Sequence, residues 1–174
     1  HPVAHSFPTR RSSDLNIDKS PWKDRIHLHH ISIQDFCRKN EIEYDLIVSN
    51  PPYFSKAYPE SSSSRSIARS DQLLSKRSLI ENVNLILKED GIFSCILPYR
   101  GNYSFSDIAA EQGLHPRRIL NIKPTPEKDF VRILFEFEKE GNLLREETLT
   151  IETNGRHAFS EEYIQLTKDF YLHF

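Results

Sequence analysis

Asn50-Pro51-Pro52-Tyr53 is the stretch whose residue types and spacing could do chemistry, since it joins two acceptors, a stiff turn and an aromatic ring. Each proline fixes its own φ and biases the residue before it to extended backbone, so Asn50 and Pro51 present their acceptors in predictable directions. An exocyclic amine on a purine is a poor nucleophile because its lone pair is delocalised into the ring. Two acceptors on its hydrogens, the Asn50 side-chain oxygen and the Pro51 carbonyl, favour a pyramidal nitrogen and aim the lone pair at a methyl donor. No strong base is required. Tyr53 adds a face on which a splayed-out base stacks, a contact worth about 1–3 kcal/mol. The plain alternative is a rigid turn leaving a core strand, with Tyr53 as ordinary packing.

Such a turn needs a strand before it. Tyr44 to Ser49, with its Leu46-Ile47-Val48 run, predicts a strand buried on both faces that feeds directly into Asn50. That places the tetrapeptide beyond a strand end, where open α/β sheets bind ligands. Upstream, Ile26 to Ile33 alternates imperfectly and predicts a first strand, followed by a short helix or turn at Phe36 to Lys39. Ser55 to Arg69 holds four consecutive serines and no apolar period, and is expected to be a mobile loop.

Ser70 is the expected N-cap of a helix that carries Leu79, Ile80, Val83, Ile86 and Leu87 on one face and stops at Gly91. Then come a buried strand at Ile92 to Leu97 ended by Pro98, and a helix at Ser104 to Gln112 ended by Gly113. Strands at Arg118 to Lys123, Val131 to Glu138 and Glu147 to Glu152 precede a terminal helix at Ser160 to Phe170. Alternating strand and helix predicts an α/β fold with a mainly parallel sheet, and the adjacent late strands predict an antiparallel edge.

With 174 residues, 37% of them hydrophobic, the chain suffices for one globular domain with a buried core. No apolar run approaches the roughly 18 residues a bilayer crossing needs, so no membrane partner is expected and the chain reads as cytosolic. Cys37 and Cys95 lie far apart without ligand spacing around them, which predicts reduced, structural thiols. His27, His29 and His30 have no acidic partner at useful spacing, so no metal is expected. A net charge of −2 excludes a highly basic nucleic-acid binder, yet it conceals local clusters.

Two clusters stand out. Arg65, Arg69, Lys76 and Arg77 follow the tetrapeptide with only Asp71 among them, and are the candidate contacts to RNA phosphates. A second, formed by His115, Arg117, Arg118, Lys123, Lys128 and Arg132, is diluted by Glu127 and Asp129. Either could equally be a solvated face of helix or strand.

Residues 1–15, HPVAHSFPTRRSSDL, have no periodicity and run abruptly into ordinary globular sequence, so they are expected to be non-native or disordered. SFPTRRSSDL resembles a translated sequencing-adapter read. Residues 16–174 are then the carboxyl-terminal part of the folded domain.

The stretch Asp45 to Phe54 resembles the fourth motif of class I, Rossmann-like methyltransferases that modify planar nitrogens. Ser20-Pro21-Trp22-Lys23, Leu97-Pro98-Tyr99-Arg100, Lys123-Pro124-Thr125-Pro126 and the tail Tyr163 to Tyr171 extend the resemblance to the bacterial tRNA1(Val) adenine-37 N6-methyltransferases. The resemblance implies S-adenosyl-L-methionine as cofactor and tRNA as substrate. Within it, Asp35 accepts from the cofactor's adenine amine, Phe36 packs on that ring, and Asn50 borders both cofactor and target. It also implies a glycine-rich turn and an acidic residue upstream that this chain lacks, since all five glycines follow the tetrapeptide. The expectation is therefore a sheet without its first two strands and a chain that by itself is inactive. Either Ile26 to Ile33 pairs directly with Asp45 to Ser49, or that strand stays poorly packed. Competing readings are a protein-glutamine N5-methyltransferase, which would use the same tetrapeptide, and a non-catalytic RNA-binding remnant.

Overall fold

The computed structural model describes residues 10–51, 74–102, 104–153 and 155–171. Helix α1 (Arg10–Asp18) and a 3₁₀ turn (Lys23–Arg25) lead to α2 (Ile33–Lys39), β1 (Tyr44–Ser49), α3 (Lys76–Ile86) and β2 (Leu87–Pro98). Then follow α4 (Phe105–Ala110), β3 (His115–Lys123), β4 (Arg132–Glu138), β5 (Arg145–Thr150) and α5 (Glu161–Thr167).

The strands form one five-stranded sheet in the order β1-β2-β4-β3-β5. β1 pairs parallel with β2, and β3 with β5, while β4 is antiparallel to both β2 and β3. Four strands therefore run one way and β4 alone runs the other. The ends of β1, β2, β3 and β5 and the start of β4 all lie along one edge of the sheet, which carries Asn50 and Pro51.

Register sorts the side chains onto two faces. Ile47, Phe93 and Phe137 lie side by side, as do Cys95 and Phe135, and Leu97 and Ile133. This face takes α3 and α4. Leu79, Ile80 and Val83 of α3, spaced for one helical face, are at most 1% exposed, and so are Phe105 and Ala109 of α4. Phe93 stacks on Phe137 at 5.9 Å and Phe135 on Phe137 at 5.3 Å, with Phe105 at 5.8 Å from both of the latter rings. Removing one such buried ring costs about 3–5 kcal/mol.

Four expectations are corrected. The antiparallel strand expected at an edge lies inside the sheet, since β4 sits between β2 and β3 while the edge strands β1 and β5 pair parallel. Ile26 to Ile33 forms no strand, because Ser32 caps a helix that begins at Ile33; its hydroxyl oxygen accepts from the Asp35 amide at 3.1 Å. The stretch pairs with nothing among the described residues. β1 is not buried on both faces either: among the described residues it pairs with β2 alone, and Leu46 and Val48 are 58% and 72% exposed. Finally, α3 does not reach Gly91 but ends at Ile86, and β2 starts at Leu87. A Cβ on Gly91 would lie 2.9 Å from the Tyr44 carbonyl oxygen and 2.8 Å from Leu87 Cδ1, so Gly91 permits a close backbone approach between β1 and β2.

Ser70, the expected N-cap, lies outside the described residues, and Ser75 caps α3 by accepting from the Ser78 amide. Arg10 to Leu15, expected to lack regular structure, are helical. The later elements fall within a few residues of their predicted bounds.

Candidate active site

β1 delivers Asn50 and Pro51 to the carboxyl edge of the sheet. Ser49 is opposite Cys95 on β2, so Asn50 leaves the ladder beside the last turns of β2. Pro51 is buried while Asn50 is exposed, and the Asn50 side chain has no hydrogen-bond partner among the described residues. A fixed, buried proline next to an exposed amide leaves the Asn50 side-chain oxygen able to accept a hydrogen bond. Pro52 and Tyr53, the other half of the tetrapeptide, lie outside the described residues, as do Arg65 and Arg69.

The start of α3 comes to the same edge. Lys76 donates to the carbonyl of Gly101, just beyond the end of β2, and partial burial lowers its ammonium below the ordinary lysine range. Arg77 meets Glu111 at 2.6 Å, with both side chains at least half exposed. An exposed pair of this kind contributes about 0–1 kcal/mol, so a phosphate could displace the carboxylate at little cost. Lys76 is tied to the fold more firmly than its place in a basic cluster suggested.

Asp35 lies at the start of α2. Gln34 Nε2 approaches Ser78 Oγ at 3.5 Å, which sets the start of α2 beside that of α3. The Asp35 carboxylate accepts from Ser32 Oγ at 2.8 Å and from Arg38 Nη2 at 2.7 Å, and these bonds hold it below the usual carboxylate range. Ionised and half exposed, it keeps acceptor capacity for an adenine amine. The Phe36 ring is already engaged: His29 meets it edge-on at 5.0 Å and Tyr44 lies 6.3 Å away. Asp35 thus offers one acceptor that suits the adenine amine of S-adenosylmethionine, whereas Phe36 would have to shed His29 to pack on its ring.

One feature of this edge was missed from sequence as a unit. Tyr99, Arg100, Lys123, Asp129 and Phe130 line an open cleft of about 200 Å³. They come from the ends of β2 and β3 and the entry to β4, so only the strand order brings them together. The two basic residues had been visible in separate motifs, Leu97 to Arg100 and Lys123 to Pro126.

Among the described residues no three or more His, Cys, Asp or Glu side chains gather to hold a metal ion, and no helix is long and apolar enough to cross a membrane.

No protein-family model matches the chain. Among curated proteins it is 40% identical over 157 residues to the tRNA1(Val) (adenine(37)-N6)-methyltransferase of Flavobacterium psychrophilum, covering 90% of this chain and 67% of that protein. It is 39% identical to the protein of the same name from Bacteroides fragilis, covering 90% and 66%. The chain spans about two thirds of the length of these relatives. Among solved structures, a predicted O-methyltransferase from Agrobacterium tumefaciens aligns with TM-score 0.49 and 23% identity, over 72% of this chain and 51% of that one.

Proposed function

The chain belongs to the tRNA1(Val) (adenine(37)-N6)-methyltransferase family, and from that premise we propose that it carries the acceptor half of a site for S-adenosylmethionine-dependent N6-methylation of an adenine in tRNA. The observation that supports the reading is Asn50, exposed and unbonded among the described residues, above a buried Pro51 at the carboxyl end of β1.

Asn50 and the Pro51 carbonyl accept the two hydrogens of the target amine and turn its lone pair outward. S-adenosylmethionine supplies the electrophilic methyl group when bound. Asp35 would accept from that molecule's adenine amine, and Phe36, once released by His29, would cover its ring. The Asn50 amide remains neutral throughout, so its contribution is orientation and dipole alignment, which act most strongly when the amine nitrogen has become pyramidal. Tyr53 would stack on the target base. Arg65, Arg69 and Arg77 hold the RNA backbone, and Lys76 steadies the turn after β2.

Incubation with labelled S-adenosylmethionine and unmodified tRNA1(Val), followed by nucleoside digestion and mass spectrometry, tests this reading. The chain should be assayed alone and joined to the remaining third of the Flavobacterium psychrophilum relative. N6-methyladenosine at position 37 is expected from the joined protein. Methyl transfer to a glutamine side chain of a protein, with none to tRNA, would overturn the reading.

A further inference from the structure

The cleft lined by Tyr99, Arg100, Lys123, Asp129 and Phe130 lies on the same edge of the sheet as Asn50 and joins two aromatic rings, two cations and a carboxylate. Resting on the tRNA reading above, we propose that it holds the nucleotide adjacent to the target adenine, stacking its base on Phe130 and pairing its phosphate with Arg100 and Lys123.

Placement argues for this first. Asn50 follows β1, and the cleft spans the ends of β2, β4 and β3, the next strands in order. At about 4.8 Å per strand, the cleft begins about 5 Å and ends about 14 Å from the β1 end along the sheet edge. An RNA chain whose target base sits at Asn50 must leave in some direction, and towards β3 it meets this cleft.

Chemistry argues for it second. Tyr99 and Phe130 rings lie 4.9 Å apart with planes tilted by 41°, forming an aromatic wall. Lys123 Nζ lies over the Phe130 ring, 5.1 Å from its centre, so a base that stacks on that face takes the ammonium's place and leaves it beside the nucleotide's own phosphate. Arg100 stands at the mouth, its side chain 87% exposed, and meets Asp129 at 3.4 Å. That ion pair is nearly fully exposed on both sides, so a phosphate can take the guanidinium from it cheaply. Released, the Asp129 carboxylate offers only acceptors, and so favours a base edge bearing an N–H group. Aromatic faces interleaved with cations are the composition that single-stranded nucleic acid selects.

Backbone geometry holds the wall in place. The Tyr99 amide donates to the Val131 carbonyl at 3.1 Å, and the Val131 amide to the Ile122 carbonyl at 2.9 Å, so the segments bearing Tyr99, Phe130 and Lys123 are cross-linked to one another. A cleft fixed by main-chain bonds needs little reorganisation to bind.

The test uses the joined protein and a fluorescently labelled, unmodified tRNA1(Val) anticodon stem-loop, with versions abasic at the nucleotide before or after adenine 37, read by anisotropy. One abasic version should bind wild type about 5- to 150-fold more weakly, the range expected for a lost base stack. Phe130→Leu, which keeps apolar bulk, should weaken the intact stem-loop comparably and respond no further to the abasic site, as a shared contact requires. Arg100→Gln, at an exposed position, should keep the abasic response while its salt slope falls by about one. If the wild type responds to neither abasic version, if Phe130→Leu responds to them as wild type does, or if Arg100→Gln leaves the slope unchanged, the cleft assignment is overturned while the tRNA reading stands. Failure of the wild type to bind any stem-loop overturns both.

Discussion

Ser49 and Cys95 face each other across the parallel β1–β2 ladder, and β2 continues three residues further, to Pro98. Asn50 therefore leaves the sheet one strand away from, and slightly below, the turn that carries Tyr99 and Arg100. This offset is what lets one edge present both an acceptor and a basic, aromatic cleft.

The β1–β2 contact predicts the cost of filling Gly91. Its missing side chain leaves room for the Tyr44 carbonyl and the Leu87 side chain, both within 3.0 Å of where a Cβ would sit. Gly91→Ala should destabilise the chain by about 1–3 kcal/mol, the range for overpacking, seen as a lower urea midpoint at unchanged slope. A midpoint equal to wild type would show that the strands separate freely there.

Ser160 predicts a second stability effect. It is 4% exposed, its hydroxyl donates to the Thr150 carbonyl at 2.6 Å, and the same oxygen accepts from the Tyr163 amide at 3.1 Å. One side chain thus caps α5 and ties it to the end of β5. Ser160→Ala should cost about 1–3 kcal/mol by losing the cap and leaving the partly buried Thr150 carbonyl without this donor. Hydrogen exchange should speed up in α5 and at the end of β5 but hardly in α3. Uniform acceleration would point to global loosening instead.

Cys95 predicts the alkaline behaviour. Burial pushes its thiol from the ordinary value near 9 up to about 12. Below pH 9 the thiol is neutral in both folded and unfolded chains, so it contributes no pH dependence. Above that, the unfolded chain ionises and the folded one does not, and stability is lost as pH rises towards 12. Unfolding midpoints measured from pH 8 to 11 should fall more steeply for wild type than for Cys95→Ala, with the difference approaching about 1.4 kcal/mol per pH unit. Parallel curves would place the thiol in contact with water.

Much of this architecture was legible before the structure. β1 is read to the residue because a compact apolar run abuts a proline turn, and the late strands are legible because Ile133, Phe135 and Phe137 alternate without interruption. The misreadings have physical causes. Ile26 to Ile33 was taken for a strand although Ser32 followed three residues later by Asp35 is a helix-start pattern, with Ile33, Phe36 and Cys37 at helical spacing. Gly91 was taken for a helix stop, whereas its role is to let one strand approach another, a requirement that pairing alone reveals. The exposed face of β1 was missed because an apolar run records what a strand can bury, not what covers it. The acceptor residues could be found because they are contiguous in sequence; the cleft could not, because its walls come from three segments that only strand order joins.

If Asn50 orients the target amine, Asn50→Ala must lose transfer rate and keep tRNA affinity, both measured in the joined protein. Asn50 is exposed and unbonded among the described residues, so the variant should fold and melt as wild type does. The rate should fall by about two to three orders of magnitude with tRNA affinity nearly unchanged, the pattern of a contact made mainly in the transition state. A retained rate, or a loss of affinity that matches the loss of rate, would contradict it.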